Sequence, residues 1–349
     1  MGKKSLNILS IALIYCGAVF GAGFASGREI FSFFSCYKMG GIVVSAFVGF
    51  LFSFFGYTVC KYAKMYKIIN ADEYFCQLFP RKIAVIFSLV ANAFLVLSFC
   101  IMITGCGVLF CEQLKVPPIA GVLVSLLICF FVIKNDVSGL EKFNLFITPV
   151  MLCGVVVLCI LCLTLPEVSP APMEEIIAPG VSGLLYISYN MVSATAVLVS
   201  SAKIAKTPSQ AGWGGAVGGV MVGVPLVLMN AVLAHHWEVA SKPLPFFALI
   251  YENFPCLSIV CWVVLYFAML TTAVSSGVAV VENVSQEKSA KAVYLLCFLA
   301  LLMSFIPFTT LIKTVYSAFG FIGVALIIGI TIKKLRKQEK KELKRRKYK

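Results

Sequence analysis

The sequence predicts an all-α membrane protein of about ten transmembrane helices, built as five plus five in opposite orientations, with the first and sixth helices broken. Three observations predict it. Of the 349 residues, 60% are hydrophobic and 13% charged, a balance that excludes an ordinary soluble domain. Ten apolar runs are long enough to cross roughly 30 Å of hydrocarbon, which takes about 20 helical residues. The basic residues also sort by loop, and this fixes an expected orientation.

The runs fall at 6–34, 39–62, 83–111, 117–133, 142–165, 178–201, 208–234, 257–281, 290–307 and 310–332. With the N-terminus placed in the cytoplasm, 24 of the 29 Lys and Arg lie in cytoplasmic segments, eleven of them between Lys333 and Lys349. Arg28, Lys38, Lys115, Lys242 and Lys313 fall near the outer face, and the outer loop with Glu167, Glu174 and Glu175 has no base. Both termini are therefore expected in the cytoplasm of a bacterial inner membrane. The net charge of +14 is concentrated in the tail KKLRKQEKKELKRRKYK, which reads as a topology anchor and a contact for anionic lipid. No aromatic or motif context supports nucleic-acid binding. The first run is too long for a cleavable signal peptide and no small-residue cleavage site ends it, so it is expected to stay in the membrane.

The domain plan follows the runs. Residues 1–165 make a first repeat of five spans, 166–177 an acidic Pro-rich outer linker, 178–332 a second repeat, and 333–349 the basic tail. An odd number of spans per half forces the halves into opposite orientations.

The first span contains CGAVFGAGFASGREIF, with four glycines in eleven residues followed by Arg28 and Glu29. Gly17, Gly21 and Gly23 are expected to unwind the helix and free backbone groups for a ligand. Ala25, Ser26 and Gly27 would then start a short outer half-helix, with Arg28 and Glu29 in an aqueous vestibule. The competing reading is close helix packing, since Gly17-xxx-Gly21 and Gly23-xxx-Gly27 fit the small-xxx-small pattern. The charged pair favours unwinding, because Arg and Glu within a span usually mark a pathway or wet cavity. The sixth span opens with Pro179, Gly180 and Gly183 and continues through Tyr186, Ser188, Tyr189 and Asn190. Gly-interrupted segments at matching places in two halves point to a transport site made by broken helices at the bilayer midplane.

Most of the fourteen cysteines lie inside spans and read as small packing residues, including Cys159 and Cys162. His235 and His236 are adjacent and point apart on a helix, so a metal there would need ligands from elsewhere. In the eighth span, YFAMLTTAVSSGVAVVEN places Thr271 and Thr272 one turn after Ala268, so two hydroxyls and a carbonyl can converge on a small hard cation. The alternative is hydrogen bonding back to the helix's own carbonyls.

The pairing of GAVFGAG with FAMLTT resembles the amino acid–polyamine–organocation superfamily with the LeuT-type fold. The form GAGFASGREI in a ten-span chain is similar to the YkvI-like bacterial membrane protein family. The resemblance implies a sodium site on the carbonyls of Gly17, Phe20 and Ala268 and the hydroxyls of Thr271 and Thr272. It implies a substrate site on the backbone of Gly21, Ala22 and Gly23 together with Tyr186, Ser188, Tyr189 and Asn190. Charge placement adds a cytoplasmic gate between Lys3 or Lys4 and Glu282 or Glu287, and an outer one in which Arg28 faces an acid from another span while Glu29 attracts a cationic solute.

Three departures narrow this. Symporters of this type with a second sodium use an Asn where this chain has Phe24. The span 3 Tyr that often recognises a substrate carboxylate has no match in LSFCIMITGCG. Relatives coupled to protons carry a Lys in span 5, whereas FNLFITPVMLCGVVVLCILCL has no charged residue in its interior. The resulting expectation is a secondary transporter of an amino acid or related amine, coupled to Na⁺ and needing no other cofactor. The alternative is a permease-like receptor that binds its solute without net transport. No HExxH, GxSxG or other converging catalytic set occurs in the spans, so an enzyme is not expected.

Overall fold

A computed structural model describes residues 3–134, 136–167, 178–242, 244–283, 286–308, 310–311, 319 and 323–332. The chain is a multi-pass helical membrane protein. In order, the helices are α1 (Lys3–Val19), α2 (Ala22–Ala25), α3 (Arg28–Phe33), α4 (Lys38–Met65), α5 (Ala71–Leu78), α6 (Arg81–Leu114), α7 (Pro118–Ile133), α8 (Asp136–Cys162), α9 (Pro179–Ser201), α10 (Pro208–His235), α11 (Pro245–Asn253), α12 (Ser258–Glu282) and α13 (Gln286–Met303). A further apolar helix covers Gly323–Ile332, within the expected tenth span. The tail and most of the acidic linker lie outside the described residues.

Local signals set several of these ends. Asn70 accepts the Glu73 N–H at 2.9 Å while the Glu73 carboxylate accepts from Ile69 N, which starts the short α5. Thr207 and Gln210 do the same at the head of α10, at 3.2 and 2.8 Å. In each pair the cap side chain meets an open helix amide, and the side chain three residues on reaches back past the cap to the amide before it, a variant of the capping box.

The exposed large apolar side chains, among them Phe47, Phe50, Leu89, Phe131 and Phe146, cover the outer faces of α4, α6, α7 and α8. Those faces suit lipid, which solvates apolar side chains without cost. By contrast α9 and α12 are buried along nearly their whole length, from Ser182 to Ser201 and from Val264 to Ala279. Together with α1 they form the centre, and α4, α6, α8 and α10 pack around it.

Helices at matching places in the two halves touch: α1 with α9, α4 with α10, and α6 with α12. The α4–α10 pair is the closest. Gly49, Ser53 and Gly56 run antiparallel against Gly223, Gly219 and Gly215, and a methyl on Gly219 would collide with the Ser53 backbone. Small residues at this spacing let two backbones meet, which is how membrane helices gain contact when burial from water contributes nothing.

The first span breaks as its glycines predict; the sixth does not. Helix α9 runs unbroken from Pro179 to Ser201. Its Pro and first two glycines stand in the opening turns, where Pro at N1 suits a helix start. Its polar side chains then bond back to the helix: Ser188 to Leu184 O at 2.6 Å, Asn190 to Tyr186 O at 3.0 Å and Ser193 to Asn190 O at 3.1 Å. Gly183 serves packing, since a methyl there would meet Val44 and Val48 of α4.

Candidate functional site: the break in the first span

Helix α1 stops at Val19 because the next amides turn away from the helical pattern. Phe20 N still reaches Cys16 O at 3.0 Å, but Gly21 N bonds Val19 O at 2.7 Å instead of Gly17 O. The Gly17 carbonyl thereby loses its partner four residues on. It accepts instead from the Thr272 hydroxyl of α12 at 2.7 Å, in a buried contact between two elements 255 residues apart. An orphaned carbonyl at this depth costs several kcal/mol unless something meets it, and here a side chain does.

Of the residues expected around a sodium ion, Gly17, Ala268, Thr271 and Thr272 lie together. Gly17 and Thr271 are in contact, since a methyl on Gly17 would stand 3.1 Å from Thr271 Cβ. Thr271 donates to Ala268 O at 3.0 Å within its own helix. Phe20 sits in the break itself, fully buried, with its ring 4.0 Å from that of Phe24. One further oxygen is present that was not anticipated. Asn144 of α8 is fully buried and directs Oδ1 at Gly17, where even one methyl would collide with it. Its amide donates to Leu140 O at 3.0 Å and Thr148 donates to its Oδ1 at 3.0 Å. Asn144 lies in the span 5 stretch, where a single uncharged amide carries no signal that separates a ligand from a helix-bonded side chain.

Beyond the break the rest of the span is two short pieces rather than one half-helix. Helix α2 runs Ala22–Ala25, and Gly27 then adopts φ 78°, a left-handed conformation open to glycine, before α3 begins. That turn sends Arg28 and Glu29 in different directions. Arg28 donates from Nη1 to Ala240 O at 2.6 Å and Lys242 O at 3.4 Å, in the loop between α10 and α11. Its expected acidic partner is replaced by carbonyls, because the nearby acids are engaged elsewhere: Glu238 with His236 at 2.9 Å and Glu252 with Lys242 at 3.3 Å. His235 pairs with Glu167 at 3.3 Å, so the two histidines do point apart.

Glu29 does not sit in a wet vestibule. It is 6% exposed, packed onto Gly23, and its Oε2 accepts from the Tyr189 hydroxyl at 2.5 Å. Gly23 makes the niche, since any side chain there would collide with the carboxyl group. Tyr186 and Tyr189 line the same side, with ring centroids 5.4 Å apart and both against Phe33 at 5.4 and 5.7 Å. Ser188 and Asn190 are not brought to the break; their polar groups are spent on α9. Gly21 faces Met102 of α6, 3.3 Å from a methyl built on it, within the span 3 stretch LSFCIMITGCG that has no Tyr.

Polar contacts close both ends. Toward Arg28, Phe246 N bonds Ser26 O at 2.8 Å. Toward the other face, Asn7 donates to Ile204 O at 2.8 Å, Lys203 pairs with Glu282 at 2.7 Å, and Asn283 donates to Asn92 at 2.7 Å. Glu282, expected to meet Lys3 or Lys4, pairs with Lys203 in the turn directly after α9. The side chains of Lys3, Lys4 and Glu287 lie outside the described residues.

No family model matches the chain. It is similar to two proteins of Bacillus subtilis (strain 168): the membrane protein YkvI, 24% identical over 96% of this chain and 98% of that protein, and the protein YyaD, 24% identical over 92% and 95%. Among solved structures it resembles a Na⁺-coupled sialic acid symporter in a substrate-bound outward-open state, with a TM-score of 0.66 at 12% identity over 93% of this chain and 78% of that one. MHP1, a nucleobase-cation-symport-1 family transporter in a closed conformation, gives 0.62 at 15% identity over 91% and 77%. A manganese transporter of Eremococcus coleocola gives 0.53 at 14% over 94% and 76%. At such identities the likeness shows a shared LeuT-type fold.

Proposed function

We propose that the chain is a secondary transporter that works by alternating access around the break in its first span, coupled to Na⁺ and carrying a small organic solute. One observation carries the reading: the Gly17 carbonyl, released from α1 by the break, meets the Thr272 hydroxyl of α12 with Asn144 of α8 beside it. Carbonyl, hydroxyl and amide oxygens from three helices are a donor set for a hard cation, which prefers oxygen ligands. The residues that would hold Na⁺ are Gly17, Phe20 and Ala268 through carbonyls, Thr271 and Thr272 through hydroxyls, and Asn144 through Oδ1. All of these donors are neutral, which suits a monovalent ion. Phe24, its ring tilted against that of Phe20, supplies no side-chain oxygen for a second ion on that side.

The bound ion would supply a tie between α1, α8 and α12. These residues then bias the protein toward whichever state holds them together, by as much as the difference in ion affinity between the two states. The pairing of α1 with α9, α4 with α10 and α6 with α12 supports two inverted repeats, 1–165 and 178–332, that interlock rather than stand apart. The expected cytoplasmic termini would put the Lys203–Glu282 pair on the inner side and Arg28 on the outer. A contact of the basic 333–349 tail with anionic lipid belongs to the same proposal.

Reconstitution into liposomes tests this. An inward Na⁺ gradient is expected to drive accumulation of a solute that an equal choline gradient does not. Solute binding with no uptake under any ion gradient would make the chain a receptor instead.

A further inference from the structure

Glu29 is a buried carboxylate within an apolar span, and among the described residues no Lys, Arg or His forms an ion pair with it. Its neighbour Arg28 is turned outward onto two carbonyls, and Lys242, His235 and His236 at this end each have another carboxylate. What faces Glu29 is a single neutral donor, the Tyr189 hydroxyl, and the bare backbone of Gly23. A carboxylate in such surroundings is costly unless a positive charge joins it. Beside it, Phe33, Tyr186 and Tyr189 present three rings within 6 Å of one another by centroid. Aromatic faces favour organic cations over neutral groups of the same size.

We propose that Glu29, walled by Phe33, Tyr186 and Tyr189, is the subsite that receives an organic ammonium group of the transported solute. The inference rests on the reading of the break as a solute site, and it narrows that solute to a primary amine or amino acid. The ammonium group enters beside Gly23 and displaces part of the Tyr189 hydrogen bond, exchanging a neutral donor for a charged one. Any side chain at position 23 would collide with the Glu29 carboxyl group that receives it.

The test is a thermal-shift and equilibrium-binding series on the full-length protein in detergent with Na⁺ present. The probes are ethanolamine, putrescine and alanine, each set against its counterpart without an amine: ethylene glycol, 1,4-butanediol and propionate. Wild type is expected to be stabilised by at least one amine and not by its counterpart. Glu29→Gln, which keeps an acceptor for Tyr189, is expected to keep the Na⁺ response and lose at least tenfold in affinity for that amine. Tyr189→Phe is expected to bind it as tightly as wild type or more so, because the competing donor is gone. The proposal is overturned if no amine shifts wild type, if the counterpart binds as well, if Glu29→Gln binds unchanged, or if Tyr189→Phe loses as much as Glu29→Gln. Amine binding that depends on Glu29 but gives no uptake in liposomes would leave the subsite standing and remove only the transport reading.

Discussion

The Thr272 hydroxyl and the Gly17 carbonyl are 2.7 Å apart across the interface of α12 and α1, and each is the answer to the other's missing partner. The hydroxyl turns away from its own helix, unlike that of Thr271, which bonds Ala268 O. The carbonyl has lost its helical amide to the turn at Gly21. The bond is therefore a property of the break.

Thr272→Ala leaves that carbonyl buried and unmet, at a cost of about 1–3 kcal/mol. Melting curves in Na⁺ and in choline separate this loss from a loss of ion binding. At a Na⁺ concentration a hundredfold above its dissociation constant, wild type gains about 2.7 kcal/mol. Thr272→Ala is expected to melt lower in both salts and to show no difference between them. A difference as large as that of wild type would remove Thr272 from the ion site.

Asn144 offers an oxygen at Gly17 without carrying charge. Asn144→Leu removes the oxygen at similar volume and should abolish the Na⁺-dependent shift. Asn144→Asp restores an oxygen with charge and should bind Na⁺ more tightly than wild type. Titration of the shift against Na⁺ concentration reads both, and an unchanged midpoint in Asn144→Leu would sink the assignment.

Lys203 and Glu282 close the face opposite Arg28. Their pair is partly exposed, so its strength is of order 0.2–1 kcal/mol. Lys203→Ala should accordingly raise the population open at that face by about fivefold or less, a factor that follows from 1 kcal/mol. Thiol labelling of a cysteine placed near Ile204, in a background without reactive native cysteines, would measure it. The charge-reversed pair Lys203→Glu/Glu282→Lys should return labelling toward the wild-type level, and failure to do so would mean that the ion pair does not hold the gate.

Two glycines give opposite expectations. A methyl on Gly180 would meet nothing within 4 Å, so Gly180→Ala should change stability by no more than about 0.5 kcal/mol. Gly219→Ala drives a methyl into the Ser53 backbone, and overpacking of this kind costs about 1–3 kcal/mol or more. Fluorescence-detected size exclusion after heating ranks the two, and equal behaviour would contradict the packing of α4 on α10.

The span boundaries were legible because lipid imposes a length on every apolar run: the expected 117–133 is α7 at Pro118–Ile133, and 208–234 is α10 at Pro208–His235. The break at Phe20–Gly21 was legible because four glycines in eleven residues precede a charged pair. The continuity of α9 was not, since Ser and Asn can either leave a helix or bond back to it, and in the fold Ser188 and Asn190 bond back. Nor was the burial of Glu29. Charge suggested water, but a turn at Gly27 and a gap at Gly23 carry the carboxylate inward, and neither can be read from hydropathy. The partner of Glu282 depended on where Lys203 emerges after α9, which is a matter of tertiary placement.

The seam of α4 against α10 has a mechanical consequence. Where backbone lies on backbone at Gly49–Gly223, Ser53–Gly219 and Gly56–Gly215, no flexible side chain can take up a displacement, so a slide of even one residue would drive main-chain atoms into each other. These two helices must therefore travel as a welded plate. Motion is left to the parts around it, above all to the jointed first span, whose two non-helical links are the compliant element in an otherwise stiff centre.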